Sequence, residues 1–163
     1  MAASRTPVLL DCDPGHDDAI ALLLAVASPE IDLIGVTTTY GNQTLEKTTA
    51  NALRVLDLAG RPDVPVASGA AQPLVRDPVV AAHVHGESGL DGPALAEPSR
   101  SVGSDDAVTF TAERIGAAPE ALTLVATGPF TNLARYLDAH GTGGVARIVV
   151  MGGAIAEGNF TPA

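Results

Sequence analysis

The chain has no tryptophan, one cysteine, one lysine and few aromatic residues, 3% of 163 positions. Each scarcity excludes something. A single cysteine, Cys12, cannot form an internal disulfide, and its place in an apolar run reads as a small buried residue. With so few rings, the core must be aliphatic, built from the Val, Leu, Ile and Ala of a chain that is 46% apolar and long enough to bury them. Positive charge is sparse too. Lys47 and eight scattered arginines face 19 acidic residues, for a formal net charge of −10. That balance argues against a nucleic-acid backbone or an anionic membrane as partner, and it suits a neutral or cationic ligand or a metal ion. No apolar run approaches the ~18 residues of a membrane span. The opening "MAASRTPVLLDCD" reads as neither signal peptide nor anchor, so the expected compartment is the cytoplasm. There is no P-loop, no G-x-G-x-x-G and no arginine cluster to bind a phosphate.

What is present is an alternation of short apolar runs and amphipathic segments. "VLLDC", "IDLIGVTTTY", "VPVASG", "ALTLVATG" and "VARIVVMGG" read as strands, the second rich in β-branched residues. "DDAIALLLAVAS" reads as a helix apolar nearly all round and therefore buried on most sides. "TLEKTTANALRVLDLAG", "DDAVTFTAERIGAAP" and "PFTNLARYLDAH" read as further helices, the last with Pro129 in its first turn and Thr131 and Asn132 as polar caps. Residues 69–103 are rich in Pro and Gly and show little periodicity. The order predicts an α/β fold, an open and mainly parallel sheet covered by helices on both faces, as one domain over 1–163. In such sheets ligands bind at the carboxyl ends of the strands. Polar residues gather there: Asp11 and Asp13 after the first strand, Tyr40 to Asn42 after the second, Thr127 to Pro129 after the fourth. The final "EGNFTPA" follows a strand directly, which reads as the N-terminal portion of a longer fold whose C-terminal portion is absent.

The densest chemistry is in "LLDCDPGHDDAIALLLA", where Asp11, Asp13, Asp17 and Asp18 fall within eight residues. Alternation puts Asp11 and Asp13 on one side of a strand, and the Pro14-Gly15 turn brings Asp17 and Asp18 into the first turn of a helix. The helix dipole favours each carboxylate there by only ~0.3–1 kcal/mol. That is too little to hold several within a few ångströms of one another without a cation. With no Cys/His cluster, Ca²⁺ or Mg²⁺ fits better than Zn²⁺. Three readings compete. An EF-hand loop counted from Asp11 fails, because His16 and Leu22 stand where Gly and a bidentate acid are required. A haloacid-dehalogenase-like phosphatase also places D-x-D after a first strand, but it needs a lysine near the phosphate. Lys47, the one lysine, lies inside the second helix.

The third reading is a resemblance. "LLDCDPGHDDAIALLLA" is similar to the signature of the inosine-uridine preferring nucleoside hydrolases. "GVTTTYGNQTLEKTTANALRVLDLAG", "PVASGAAQPLVR", "HVHGESGLDG", "LTLVATGPFTNLA" and "IVVMGGAIAEGNFTP" continue the resemblance in the order usual for that family. It covers roughly the N-terminal half of a usual member. The resemblance implies hydrolysis of the N-glycosidic bond of ribonucleosides to ribose and free base, with a tightly bound Ca²⁺. It implies Asp13 as metal ligand and general base toward a metal-bound water, and Asp18 and the Thr127 carbonyl as further ligands. Asp17 would bind the ribose diol, Asn42 and Asn159 would orient water and sugar hydroxyls, and His85 would lie near the nucleobase, with His83 a weaker match. Asp11 would position the metal carboxylates. The expected partner is a small-molecule nucleoside, with no nucleic acid and no membrane, in a homo-oligomer at full length. The alternative is a non-catalytic fragment or one half of a split enzyme, because the family's later histidine and last metal carboxylate have no match in these 163 residues.

Overall fold

The computed structural model describes residues 5–118 and 120–155. Strand β1 (Thr6–Cys12) leads into helix α1 (His16–Ala27), and strand β2 (Ile31–Thr38) into helix α2 (Leu45–Leu58). A short strand β3 (Val66–Ser68) is followed by a single helical turn α3 (Ala82–His85) and helix α4 (Ala107–Ala117). Strand β4 (Leu122–Ala126), helix α5 (Thr131–His140) and strand β5 (Val145–Val150) complete the order. The five strands form one sheet in the order β3-β2-β1-β4-β5, and every pairing is parallel. The chain therefore works outward from β1 in one direction and then, from β4, in the other. Between β1 and β4 the order reverses, and a crevice opens at the carboxyl ends of the strands, which is where open α/β sheets bind ligands.

Two apolar layers follow from the alternation of β1. Val8, Leu10 and Cys12 pack with Leu22 and Ala25 of α1 and with Ala52, Leu53, Val55 and Leu56 of α2. Leu9 faces the other way, onto Phe110 of α4 and Tyr136 of α5. Leu22 and Leu56 are fully enclosed, each contributing about 1.5–3 kcal/mol relative to exposure. Cys12 is fully buried as expected, its thiol 3.8 Å from the Thr37 carbonyl. Among the described residues no helix is long and apolar enough to cross a membrane.

Two expectations are corrected. Helix α1 is not buried on most sides: it docks through Leu22 and Ala25, while Ile20 and Leu24 are each 64% exposed. An all-round apolar pattern cannot reveal which face meets a neighbour. Ile148, Val149 and Val150 lie on the outermost strand, β5, and are open to solvent, the apolar edge that a final strand without cover leaves. Helix α5 starts at Thr131 behind an N-cap at Phe130, so Pro129 precedes it, and no side chain caps it. The Pro/Gly-rich stretch also contains a turn of helix, α3, that periodicity did not reveal.

Helix α4 is capped by a side chain, that of Asp106. The Asp106 carboxylate accepts the Val108 and Thr109 amides at 3.0 and 3.1 Å and the Thr109 hydroxyl at 2.6 Å. These bonds hold its pKa below the usual carboxylate value. Its stabilisation is therefore present above that usual value and lost as pH falls through the depressed one. Urea unfolding of Asp106→Ala at neutral pH should show a loss of about 0.5–2 kcal/mol, shrinking in acid. An unchanged midpoint would mean the cap carries no stability.

Candidate active site

Strand β1 ends in Asp11 and Cys12, and Asp13 lies just beyond it. Pro14 and Gly15 turn the chain, so that α1 carries Asp17 and Asp18 in its first turn. Asp18 folds back, and its Oδ2 accepts the Asp13 amide at 2.8 Å. The ends of the neighbouring strands close around the same point. After β4, the Thr127 amide donates to the Asp11 carbonyl at 2.9 Å, and the Thr127 side chain hydrogen-bonds Asp18. After β2, the Asn42 amide donates to Asp13 Oδ2 at 2.7 Å. The Asn42 side-chain amide donates to the Asp13 carbonyl at 3.0 Å and reaches Asp17 Oδ1 at 3.4 Å. Two glycines make room. A Cβ on Gly41 would stand 2.1 Å from Asp13 Oδ2, and one on Gly128 would stand 2.7 Å from Oδ1. The Asp13 carboxylate is thus slotted between two backbones where only glycine fits.

These acids are buried. Asp11, Asp13 and Asp18 are 6%, 5% and 2% exposed. Burial, then the charge of Asp18, pushes the Asp13 carboxyl up to about 9. Burial raises Asp18, and burial raises Asp11 to about 6. The bonds that oppose this on Asp13 and Asp11 come from amides and a hydroxyl rather than a cation. The described ion pairs, Lys47–Glu87, Arg54–Glu97 and Arg61–Asp63, involve none of the site acids. Buried carboxylates opposed only by such bonds must either keep protons at neutral pH or hold a cation. The donor set is all oxygen, which fits a hard cation such as Ca²⁺ or Mg²⁺. Among the described residues no group of three or more His, Cys, Asp or Glu is placed to hold a metal. The Asp13–Asp18 pair would therefore supply only part of a shell of about 6–8 oxygens.

Most of the residues singled out from sequence converge here. Asp11, Asp13, Asp18, Asn42 and Thr127 are linked by the bonds above, Asp17 is exposed beside Asn42, and His85 is buried against Gly15. Asn159 lies outside the described residues. Asn132 corrects its reading as a helix cap. It is buried, its Nδ2 donates to Asp11 Oδ1 at 2.8 Å and to the Thr38 carbonyl at 3.0 Å, and its Oδ1 accepts the Ala70 amide at 2.8 Å. One side chain of α5 therefore ties together the ends of β1, β2 and the segment after β3. Thr37, also missed, donates to the same Asp11 oxygen at 2.6 Å. Asp11 Oδ2 is buried with no hydrogen-bond partner. Period-2 alternation places Asp11 on the α5 side, but nothing in "TGPFTN" marks Asn132 as its partner. A cleft of about 280 Å³ lined by Thr127, Gly128, Pro129, Phe130, Met151 and Gly152 opens beside the site.

Residues 8–163 match the family described as inosine-uridine preferring nucleoside hydrolase. The chain is 57% identical over 159 residues to the pyrimidine-specific ribonucleoside hydrolase RihA of Citrobacter koseri, covering 96% of this chain and 51% of that protein. The RihA of Escherichia coli O7:K1 is 55% identical over the same shares. Among solved structures, the purine-preferring ribonucleoside hydrolase from Gardnerella vaginalis superposes with a TM-score of 0.89 at 35% identity, covering 96% of this chain and 52% of that one. A plant nucleoside hydrolase, PpNRh1, superposes with a TM-score of 0.86 at 38% identity, covering 97% and 51%. The chain spans about half the length of the curated relatives it matches.

Two outcomes follow from the network. Asn132→Ala leaves buried groups on three segments unpaired and should cost about 2–4 kcal/mol in urea unfolding. A cost below 1 kcal/mol would show that the tie is incidental. Asp11 binds its proton more tightly folded than unfolded. In the metal-free chain its contribution is therefore most favourable below the unfolded value of 3.8 and is lost as pH rises through about 6. The stability of Asp11→Asn relative to the parent should accordingly rise by about 2 kcal/mol between pH 4 and 7. A pH-independent difference would refute the burial effect.

Proposed function

Since the chain belongs to the inosine-uridine preferring nucleoside hydrolase family, we propose that its carboxylate cluster is the metal-binding and water-activating part of a ribonucleoside N-glycosidase. The observation that carries this reading is the buried pair Asp13 and Asp18, restrained only by hydrogen bonds and set where the strand order reverses. Asp13, Asp18 and the backbone of Thr127 would hold Ca²⁺. When bound, the cation offsets the buried charge and lowers the cost of deprotonating water.

The rest is the work of the chain. Cleavage of an N-glycosidic bond passes through a transition state with oxocarbenium character, so water must be delivered to the anomeric carbon and must lose a proton. Asp13 takes that proton, and the Asn42 amide and side chain hold it in place while it does so. Asp17, exposed at the mouth and touched by Asn42, is positioned to accept hydrogen bonds from the ribose diol. Asp11, gripped by Thr37 and Asn132, anchors the strand end that carries Asp13. Asn159 would act on sugar and water as the family resemblance implies, and His85 on the base. The substrate is a small neutral nucleoside, consistent with the acidic chain. The pyrimidine-specific relatives make uridine the first substrate to test, with inosine beside it. With this reading go a cytoplasmic location and a homo-oligomer at full length. The phosphatase alternative loses its ground with the family assignment, and Lys47 is bonded to the Glu87 carbonyl rather than to the aspartates. A binding role without turnover is the second reading, favoured by the presence of only two converging carboxylates among the described residues.

Calorimetry on chelator-stripped chain should show a Ca²⁺ site that Asp13→Ala and Asp18→Ala each weaken by more than the ~10–100-fold typical of merely supporting residues. Equal binding by parent and both variants would remove the metal assignment. A reducing-sugar assay with uridine separates turnover from binding. In a chain that turns over, Asp13→Asn should lower kcat by ~10²–10⁴-fold, and a change within a few-fold would assign the base elsewhere.

A further inference from the structure

One feature of the signature plays no part in the mechanism above: the histidine between the turn and the acidic pair. His16 opens α1 and stacks on His85 of α3, with ring centroids 5.4 Å apart and planes at 21°. The His16 backbone amide donates to His85 Nδ1 at 3.3 Å. The His16 Nδ1 faces the same atom at 3.3 Å, and the His16 Nε2 lies 2.9 Å from the Asp91 carbonyl. We propose that His16 is a positioning residue that fixes the His85 imidazole with its proton on Nε2, making His85 a hydrogen-bond donor to the substrate. This rests on the reading of the crevice as a nucleoside site.

The tautomer follows from the partners. A carbonyl oxygen only accepts, so His16 Nε2 carries a proton. A backbone amide only donates, so His85 Nδ1 is bare. A proton placed on His85 Nδ1 would point at the His16 amide hydrogen and forfeit that bond. The contact with His16 Nδ1 accommodates a proton on either ring, so it is the backbone amide, which can only donate, that assigns His85 Nδ1 as acceptor. The single proton of the neutral ring then sits on Nε2, which makes no hydrogen bond among the described residues.

The surroundings hold both rings in place. The Asp91 carboxylate accepts the Glu87 and Ser88 amides at 3.1 and 3.0 Å and the Ser88 hydroxyl at 2.5 Å, so the carbonyl that His16 binds belongs to a wound loop. Asn51 bonds the Pro14 carbonyl at 3.1 Å and the Ser88 carbonyl at 2.9 Å, joining that loop to the turn before His16. Gly15 allows the approach, because a Cβ there would stand 2.4 Å from His85 Nδ1 and 2.8 Å from the Asn42 side-chain nitrogen. His85 and Asn42 thus meet over Gly15, and Asn42 is bonded to Asp13. A donor fixed at this point selects an acceptor atom on the bound nucleoside, a base carbonyl or ring nitrogen, over a group that itself donates.

The test is the ring-nitrogen NMR spectrum of the ¹⁵N-histidine-labelled chain, followed over a pH series and read at its alkaline plateau. His85 is assigned by its loss in His85→Gln. The parent should show His85 with a bare Nδ1 and a protonated Nε2. His16→Pro removes both the amide donor and the ring at a position, the first of a helix, that tolerates proline, and His85 should then populate both tautomers. A parent spectrum with the proton on Nδ1, or a mixture, overturns the proposal, and so does an unchanged His85 in a folded His16→Pro. Should that variant not fold, the parent spectrum decides alone. The measurement uses neither calcium nor nucleoside, so failure to release ribose would overturn the functional reading without touching this one.

Discussion

Burying a carboxylate beside another carboxylate is the constraint around which the carboxyl end of this sheet is organised. Desolvation alone disfavours an ionised Asp13 by several kcal/mol, and the neighbouring Asp18 adds to the cost. Among the described ion pairs the chain does not answer with a lysine or arginine. It answers with backbone amides, one from Asn42 to Asp13 and one from Asp13 to Asp18, and with the Thr127 side chain on Asp18. Such bonds orient the oxygens but do not cancel their charge. The remaining deficit is what a cation held as proposed would offset, and it is why the cluster is costly to the metal-free fold.

The parallel topology is what makes that concentration possible. Because all five strands run the same way, the three loops after β1, β2 and β4 emerge on one side of the sheet, next to one another at the point of reversal. Each delivers one component: Asp13 from the first, Asn42 from the second, Thr127 and Gly128 from the third. Asn132 then fixes their relative positions from beneath, bonding to Asp11, Thr38 and Ala70 at once. A buried side-chain amide suits this role because it offers donors and an acceptor together without adding charge.

Much of this was legible in the sequence because it depends on local spacing. The run "VLLDCD" is apolar with its acids at the end, so both the strand and the position of Asp11 and Asp13 at its exit could be read directly. The acids of α1 and the segment Tyr40 to Asn42 after the second strand follow the same logic, whereas His85 was marked by the family resemblance. What escaped depends on contacts between segments distant in the chain. Asn132 and Asp11 are 121 positions apart, and a polar residue in a first helical turn is ordinarily a cap. The burial of α1 was overestimated because an all-apolar pattern carries no information on which face docks. Helix α3 is a single turn, too short to generate a period.

The spacing of the signature has a geometric reason. In D-x-D, the intervening residue, Cys12, points into the α1–α2 layer while Asp11 points toward α5. Asp13 falls just past the last ladder pair, where its amide is free for Asp18 and its carboxylate for Asn42. Pro14 and Gly15 complete the reversal in two residues, and the extended conformation at Gly15 lets α1 begin immediately. Asp18, two residues into the helix, is then close enough to bond back to the Asp13 amide. A turn one residue longer would rotate Asp18 by about 100° around the helix axis and aim it away from Asp13. A side chain on Gly15 would collide with His85 before the acids could meet. The eight-residue span from Asp11 to Asp18 is therefore a short route by which a strand end and a helix start can place two carboxylates on one point.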